Sequence, residues 1–189
     1  AFIWNVCDDV LRGLFKPHEY GDIILPFTVL RRLDCVLEEH KDTVINLHNE
    51  FKSKVEDPTP IILNKVNTSF FNHSQFDLNR LKQDPSNIQM NLQNYLGGFS
   101  NNVLEVVENF QLEKPIEKLN KNNRLYQFIE KFSEIDLHPD VVSNHQMGQV
   151  FEELLRKFSE MSNETSGEHY TPRDVVRLLV SLVFSKDKD

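Results

Sequence analysis

Apolar residues recur at three- and four-residue steps through most of the chain, which is the spacing of one face of an α-helix. The first stripe is made of Phe2, Ile3, Val6, Cys7, Val10, Leu11 and Leu14. Gly13 falls near its end, and Pro17 closes it because proline removes a helical hydrogen bond. A second stripe predicts a long helix from about Asp22 to about Phe51, in which Pro26 is tolerable only in the first turn or as a kink.

The pattern is less regular between residues 53 and 86. The segment from Ile61 to Phe71 is short, apolar and partly β-branched, which predicts a small hairpin. Asp84 and Pro85 then form a typical helix start, with an N-cap residue followed by proline at the first helical position. This helix is predicted to run to about Leu96.

Short helices follow in quick succession after the pair Gly97-Gly98, which ends the preceding one. The predicted spans are Asn102 to Asn109, Lys114 to Leu119 (opened by Pro115), Asn123 to Phe132 and Asn144 to Met161, with a connector at Asp136 to Pro139. We expect a small-polar loop from Ser162 to Gly167 and a last helix from Pro172. The sequence therefore predicts a mainly α-helical domain.

Composition narrows the class of protein. The 189 residues are 39% hydrophobic and 26% charged, which is ordinary for a globular domain. The net charge is −8 and the longest basic run is Arg31-Arg32, so the chain lacks the basic face of a dedicated nucleic-acid-binding domain. Cys7 and Cys35 form no C-x-x-C pair, which argues against zinc and favours a reducing cytoplasm. No apolar run reaches the ~20 residues of a membrane span, so no membrane association is expected.

The segment from Gly167 to Arg173 precedes a run from Val175 to Phe184 that is apolar nearly all round. Thr171 is a good N-cap, Pro172 suits the first helical position, and Asp174 approximates a capping box. These residues alone describe a well-capped helix. A helix so apolar must be buried on most sides, which predicts packing on a further element such as a sheet. Its N-terminus also presents free N–H groups to an anion, for which the carboxylate of S-adenosylmethionine is suitable.

Several motifs occur in order along the chain. They are Leu11-Arg12-Gly13, Tyr20, Ile23-Ile24-Leu25, Leu30-Arg31-Arg32-Leu33-Asp34, Gly148-Gln149-Val150-Phe151-Glu152-Glu153-Leu154-Leu155 and Gly167-Glu168-His169-Tyr170-Thr171-Pro172-Arg173-Asp174-Val175-Val176. Together they resemble the DNA-methylating (M) subunits of type I restriction-modification systems. His169 departs from the family's commoner Phe, and Gly21 from a frequent Lys or Arg. The resemblance implies a helical N-terminal domain at residues 1–161 and the start of an α/β methyltransferase domain at 162–189.

The resemblance also implies methyl transfer from S-adenosylmethionine to the exocyclic amine of adenine in DNA. Two M subunits would act with one specificity (S) subunit, and a restriction (R) subunit would join for cleavage. The residues implicated in cofactor binding are Glu168, His169, Tyr170, Thr171, Pro172 and Arg173. The family's Gly-rich motif and its Asn-Pro-Pro-Phe catalytic motif follow later in sequence, so we expect this chain to be a truncated fragment that is inactive alone. It would serve DNA clamping and subunit assembly. The alternative is a non-enzymatic helical protein-interaction module.

Two pairs of polar residues have ordinary structural explanations. His138 and His145 could be metal ligands, but no Cys or carboxylate has matching spacing, so no metal site is expected. Glu152 and Glu153 could suggest acid–base chemistry. Neighbours on a helix point in different directions, however, and an exposed helix face is the expected outcome.

Arginines and phenylalanines supply the remaining candidates for contact with partners. Arg12 and Arg31-Arg32 could contact DNA phosphates, although salt bridges within an acidic domain are the stronger expectation. Most of the 14 phenylalanines have core spacing. Phe70-Phe71 and Phe99 are the candidates for exposure on a partner-binding face.

Overall fold

The computed structural model describes the backbone of residues 2–166 and the side-chain environments of residues 4–162. Helices dominate this part of the chain, which confirms the predicted mainly α class. They are α1 (Phe2–Val6), α2 (Gly21–Leu37), α3 (Lys41–Phe51), α4 (Thr59–Val66), α5 (Leu78–Leu81), α6 (Ile88–Gly97), α7 (Asn101–Asn109), α8 (Glu113–Lys121), α9 (Leu125–Ser133) and α10 (Asn144–Ser166). Within the described residues, no helix is both long enough and apolar enough to cross a membrane.

Helix α2 supplies the centre of the main hydrophobic core. Phe27 is fully buried, and its ring meets that of Phe128 edge to face, with centroids 4.8 Å apart. Phe132 lies 5.6 Å from the same ring. These contacts bring α9 against α2 and explain the apolar stripes of both helices, because edge-to-face pairs add to the stabilisation from apolar burial.

The first predicted helix is a composite. After α1 the chain adopts a π-helical turn over Cys7–Leu11, and Gly13 then takes a left-handed conformation with φ of 77°. The guanidinium of Arg124 donates to the carbonyl oxygens of Val10 (2.6 Å) and Arg12 (2.9 Å). A distant cation therefore satisfies carbonyls that the helix end leaves without a partner.

The long helix predicted from Asp22 to Phe51 is wrong in one respect. It is interrupted by a 3₁₀ turn at Glu38–His40, which separates α2 from α3. Helix α3 packs on α4 through a second small apolar cluster, whereas α2 runs through the main core. The uninterrupted apolar periodicity of the sequence hides this change of partner.

The hairpin predicted between Ile61 and Phe71 is also wrong, because α4 (Thr59–Val66) occupies its first half. Ile62 and Val66 lie one helical turn apart and pack against Val44 of α3. Their four-residue spacing outweighs the β-branched composition of the segment, and tertiary packing routinely overrides such propensity.

The later helices begin and end close to their predicted positions, with two exceptions. A 3₁₀ turn at Pro85–Asn87 precedes α6, and α10 continues to Ser166. The loop predicted from Ser162 to Gly167 is therefore helical as far as residue 166. Gly98 follows α6, as predicted. The residue at this position must be glycine for a steric reason. A Cβ there would lie 2.7 Å from that of Ser74 and 2.8 Å from Oδ1 of Asn72, so only glycine allows the two segments to approach this closely.

Candidate functional site

The predicted cofactor segment lies outside the described residues. It comprises Glu168, His169, Tyr170, Thr171, Pro172 and Arg173. The predicted last helix from Pro172 and the apolar run from Val175 to Phe184 lie outside them as well. Helix α10, which carries the motif from Gly148 to Leu155, leads towards this segment. The surroundings of α10 therefore describe the approach to the candidate site.

Phe158 anchors α10 on the N-terminal elements. Its ring lies 5.4 Å from that of Trp4, and its side chain belongs to the main core together with that of Leu154. A Cβ placed on Gly21 would lie 3.3 Å from Cβ of Phe158, which is tight packing. Glycine at position 21, where the resembled family often has Lys or Arg, thus leaves room for the close approach of α10 to the start of α2.

Two arginines of α2 hold the connector that precedes α10. Nε of Arg31 donates to the carbonyl oxygen of Ile135 at 2.6 Å. Nη1 of Arg32 donates to the carbonyl oxygens of Leu137 and Val142, the latter at 2.7 Å. Nη2 of the same residue donates to Oδ1 of Asn144, also at 2.7 Å.

Both guanidinium groups are buried, with 7% of Arg31 and 9% of Arg32 exposed. The expected salt bridges are therefore wrong for Arg31 and Arg32, whose hydrogen bonds end on neutral backbone and amide oxygens. Their burial also leaves neither side chain exposed for the less favoured contact with DNA phosphates. Hydrogen bonds that involve an ionised donor are about twice as strong as neutral ones. The pair thus fixes the connector to α2. Arg12, by contrast, is exposed and remains a candidate for DNA contact.

A small apolar cluster reinforces the same junction. Cys35 of α2, Leu137 of the connector and Met147 of α10 are buried together. Burial raises the pKa of the Cys35 thiol, so this sulfur acts as packing rather than as a nucleophile. Arginine donors and apolar contacts thus hold α2, the connector and the start of α10 as one unit.

A second buried polar cluster lies where α2, α5 and α6 meet. Oδ2 of Asp34 accepts a 2.7 Å hydrogen bond from the backbone N–H of Leu78, at the start of α5. Burial raises the pKa of Asp34 to about 6, although that N–H and the Tyr95 hydroxyl favour the carboxylate. Burial likewise lowers the pKa of Lys41 to about 8. Its ammonium donates to Oδ1 of Asn72 at 3.2 Å.

Sequence reasoning missed this cluster as a functional or structural group. One signal was available, because Asp34 lies one helical turn after Leu30 and one turn before Leu37, both of which belong to the apolar stripe of α2. Its partners Lys41 and Tyr95 carried no such signal. In the structure, Lys41 of α3 and Tyr95 of α6 both lie close enough to Asp34 of α2 to influence the pKa of its carboxyl group.

The remaining candidates fall into ordinary structural roles. His138 accepts a hydrogen bond from the backbone N–H of Asp140 at 3.3 Å, and His145 is exposed. Among the described residues, no group of three or more His, Cys, Asp or Glu could hold a metal ion. Phe71 and Phe99 are buried and Phe70 packs partly buried against the core, so these three candidates do not form an exposed aromatic face.

Comparison with known proteins decides the family. The HsdM N-terminal domain matches residues 1–132, which is most of the chain. The chain belongs to this family. A second family, the N-6 DNA methylase, matches residues 142–189. The resemblance drawn from the sequence motifs is confirmed.

The chain is also similar to a curated methylase subunit. The type I restriction enzyme MjaIX methylase subunit of Methanocaldococcus jannaschii is 23% identical over 193 residues. The match covers 96% of this chain and 34% of that protein, so the chain spans about a third of the length of its relative. No solved structure matches the chain at a significant level.

The two family matches meet at the junction that the arginines hold. Arg31 and Arg32 belong to the HsdM N-terminal domain, whereas Val142 and Asn144 open the segment similar to the N-6 DNA methylase. Ile135 and Leu137 lie in the connector between the two matches. The arginine contacts therefore tie the helical domain directly to the first helix of the methylase-like segment.

Proposed function

We propose that this chain is the N-terminal part of an S-adenosylmethionine-dependent DNA methyltransferase of a type I restriction-modification system. The parent protein transfers a methyl group from the cofactor to the exocyclic amine of adenine in DNA. The family assignment, the methylase-like segment and the named relative support this proposal. The observation that carries it is the methylase-like segment at residues 142–189, whose first helix Arg32 and Phe158 hold against the helical domain.

The helical domain would position the catalytic domain. The predicted cofactor segment directly follows α10 in sequence, and small misplacements of a reacting group reduce catalytic rates steeply. We place the domain boundary after residue 161, because Leu154 and Phe158 still belong to the helical core. The methyltransferase domain then begins within residues 162–189.

The same domain would serve DNA clamping and subunit assembly. The partners in this proposal are a second M subunit, the S subunit that reads the DNA sequence and the R subunit that joins for cleavage. The exposed guanidinium of Arg12 is a candidate for phosphate contact. The complex would act in the cytoplasm, a setting that suits two buried free thiols.

The cofactor site is tested in the full-length protein that contains the whole methylase domain. We expect calorimetric titration to show binding of S-adenosylmethionine. Joint replacement Tyr170→Ala and Thr171→Ala should weaken this binding by about tenfold or more, which is about 1.4 kcal/mol. His145→Ala, an exposed position on α10, is the matched control and should bind normally.

Methyl transfer is measured separately, as incorporation of labelled methyl groups into adenine-containing DNA by the assembled complex. A full-length protein that binds no cofactor and transfers no methyl group would overturn the proposal. That outcome would favour the alternative of a helical protein-interaction module.

A further inference from the structure

A trough crosses the surface where α6, α7 and α8 meet, away from the junction described above. Its main part is a half-open groove of about 670 Å³. The apolar side chains in its lining are Leu96, Leu104, Val107, Leu112 and Ile116. The polar side chains in its lining are Gln93, Glu108, Gln111, Glu113 and Lys114.

Two shallower depressions adjoin this groove, because each shares lining residues with it. One shares Leu104 and Glu108 with it and adds Glu105. The other shares Gln93 and includes Met90, whose side chain is 62% exposed. The groove and the two depressions share lining residues and are together called the trough.

Leu96 and Leu104 are partly exposed in the trough, whereas Val107, Leu112 and Ile116 are buried. A half-open, mainly apolar groove suits an amphipathic helix, which presents apolar side chains at three- and four-residue steps. An exposed methionine is well suited to adapt to such a partner.

The charged side chains along the trough indicate which charge a partner would carry. Glu105, Glu108 and Glu113 contribute three exposed carboxylates, against the single ammonium of Lys114. A concave surface with this balance attracts cations and repels anions. An apolar centre flanked by carboxylates is complementary to a helix with one apolar face and Lys or Arg beside it.

We propose that this trough docks a cationic amphipathic helix of a partner protein. The proposal rests on the assembly role proposed above and assigns a surface to it. Apolar residues of the partner cover the partly exposed Leu96 and Leu104, while its basic residues lie against Glu108 and Glu113.

Gly97 gives a direct way to fill the trough. It lies in the last turn of α6, and a Cβ there would meet no atom within 4 Å, so a side chain at this position projects into open space. Gly148 on α10 is the matched control, since a Cβ there also meets nothing within 4 Å and the residue does not line the trough. Gly97→Gln and Gly148→Gln should both fold normally, as judged by circular dichroism.

The first test titrates the 189-residue chain with a synthetic helical peptide of about 18 residues, or five turns, made of Leu and Lys. A second peptide has Glu in place of every Lys. Fluorescence anisotropy at ~0.15 M salt should show the Lys peptide binding about tenfold or more tightly than the Glu peptide. Gly97→Gln should weaken binding of the Lys peptide about tenfold, while Gly148→Gln should leave it unchanged.

A charge-matched pair of variants separates the trough from the general acidity of the chain. The double replacement Glu108→Gln and Glu113→Gln should weaken binding of the Lys peptide and reduce its salt dependence. Removing two exposed carboxylates elsewhere, by Glu38→Gln and Glu39→Gln, changes the net charge equally and should have little effect. Equal effects of the two pairs, or equal binding of both peptides, would overturn the proposal.

Self-association is the remaining outcome. If the chain dimerises and Gly97→Gln abolishes the dimer, the occupant is a second copy and the proposed partner is wrong. The titrations contain neither cofactor nor DNA. Their failure therefore leaves the methyltransferase proposal standing, and failure of cofactor binding leaves this one standing.

Discussion

Helix α2 buries charged side chains in two neighbouring places, and it accommodates them in different ways. Arg31 and Arg32 face the connector before α10 and donate to fixed carbonyl and amide oxygens. Asp34, less than one turn further on, accepts a single backbone N–H from Leu78. A guanidinium stays charged at any ordinary pH, so it needs permanent acceptors when buried. A carboxyl group can instead take up a proton, and burial raises the pKa of Asp34 to about 6.

The arginine contacts are therefore independent of protonation, whereas the contact of Asp34 depends on it. The arginine contacts join two segments more than 100 positions apart and hold the entry to the methylase-like segment at any ordinary pH. The aspartate contact joins α2 to the start of α5 within the helical domain, and its strength varies with protonation. Two experiments test this contrast, and a third tests the contact of α10 with α2.

Loss of the arginine anchor should have the largest effect. Arg32→Ala removes three hydrogen bonds and takes the donor from the carbonyl oxygens of the buried Leu137 and the half-buried Val142. We expect the free energy of unfolding in urea to fall by about 3 to 4 kcal/mol. Arg32→Lys should recover only part of this, because one ammonium cannot reproduce the geometry of the guanidinium fork.

The exposed Arg12 provides the control for that measurement. Arg12→Ala should change the free energy of unfolding by no more than about 0.5 kcal/mol. Hydrogen exchange should show that Arg32→Ala lowers protection in α10 more than in α6. The anchoring role would be contradicted if Arg12→Ala and Arg32→Ala lowered the free energy of unfolding equally. It would also be contradicted if Arg32→Ala lowered hydrogen-exchange protection equally in all helices.

The aspartate side should show a pH dependence that the arginine side lacks. The folded-state pKa of Asp34 is about 6, against 3.8 for an ordinary Asp. Between these values the native state keeps a proton that the unfolded chain has released. The resulting stabilisation is complete below about pH 4 and is lost as the pH rises through about 6, by about 2 to 3 kcal/mol.

Asp34→Asn isolates this contribution, because an amide does not titrate. The difference in the free energy of unfolding between wild type and Asp34→Asn should change across pH 4 to 6 in the direction given above. Arg32→Ala should shift the wild-type curve without changing its slope in this interval. If the difference in the free energy of unfolding between wild type and Asp34→Asn does not change with pH, the Asp34 carboxyl group titrates normally in the folded protein.

The smallest expected effect tests the contact of α10 with α2. Gly21→Val adds a branched side chain where a Cβ already approaches Phe158 at 3.3 Å, and we expect a loss of about 1 kcal/mol in stability. Gly148→Val is matched to it, since its Cβ meets no atom within 4 Å. A chemical denaturation series on both variants measures the difference. If Gly148→Val proves as destabilising as Gly21→Val, helical propensity explains both results and the steric argument fails.

Periodicity and breaker residues predicted most of the helices before the fold was known. The spans of α7 to α9 differ from prediction by a few residues, because a stripe such as Leu125, Phe128, Ile129 and Phe132 is a local property of the sequence. The errors arose where tertiary partners outweighed local pattern. The segment around Ile62 became a helix because Ile62 and Val66 pack on α3, and the long stripe after Asp22 is divided because α2 and α3 have different partners.

The predicted cofactor residues remain a prediction from the sequence, since they lie outside the described part of the chain. The three arginine candidates show why side-chain roles are harder to infer. Their sequence context suggested phosphates or carboxylates, but Arg31 and Arg32 bind carbonyls of residues that are remote in sequence. A local sequence pattern cannot predict a hydrogen-bond acceptor on the backbone of a residue that lies more than 100 positions away in the chain.

The sequence by itself determined the helical class and the family, because helical periodicity and ordered motifs are properties of residues close together along the chain. The tertiary structure decided how those residues are used. Gly21 makes room for Phe158, Gly98 for Asn72 and Ser74, and Gly97 faces an open trough, although all three are simply glycine in the sequence. Which distant segments meet, and therefore which side chains are buried, paired or free to bind, follows only from the packing of the whole chain.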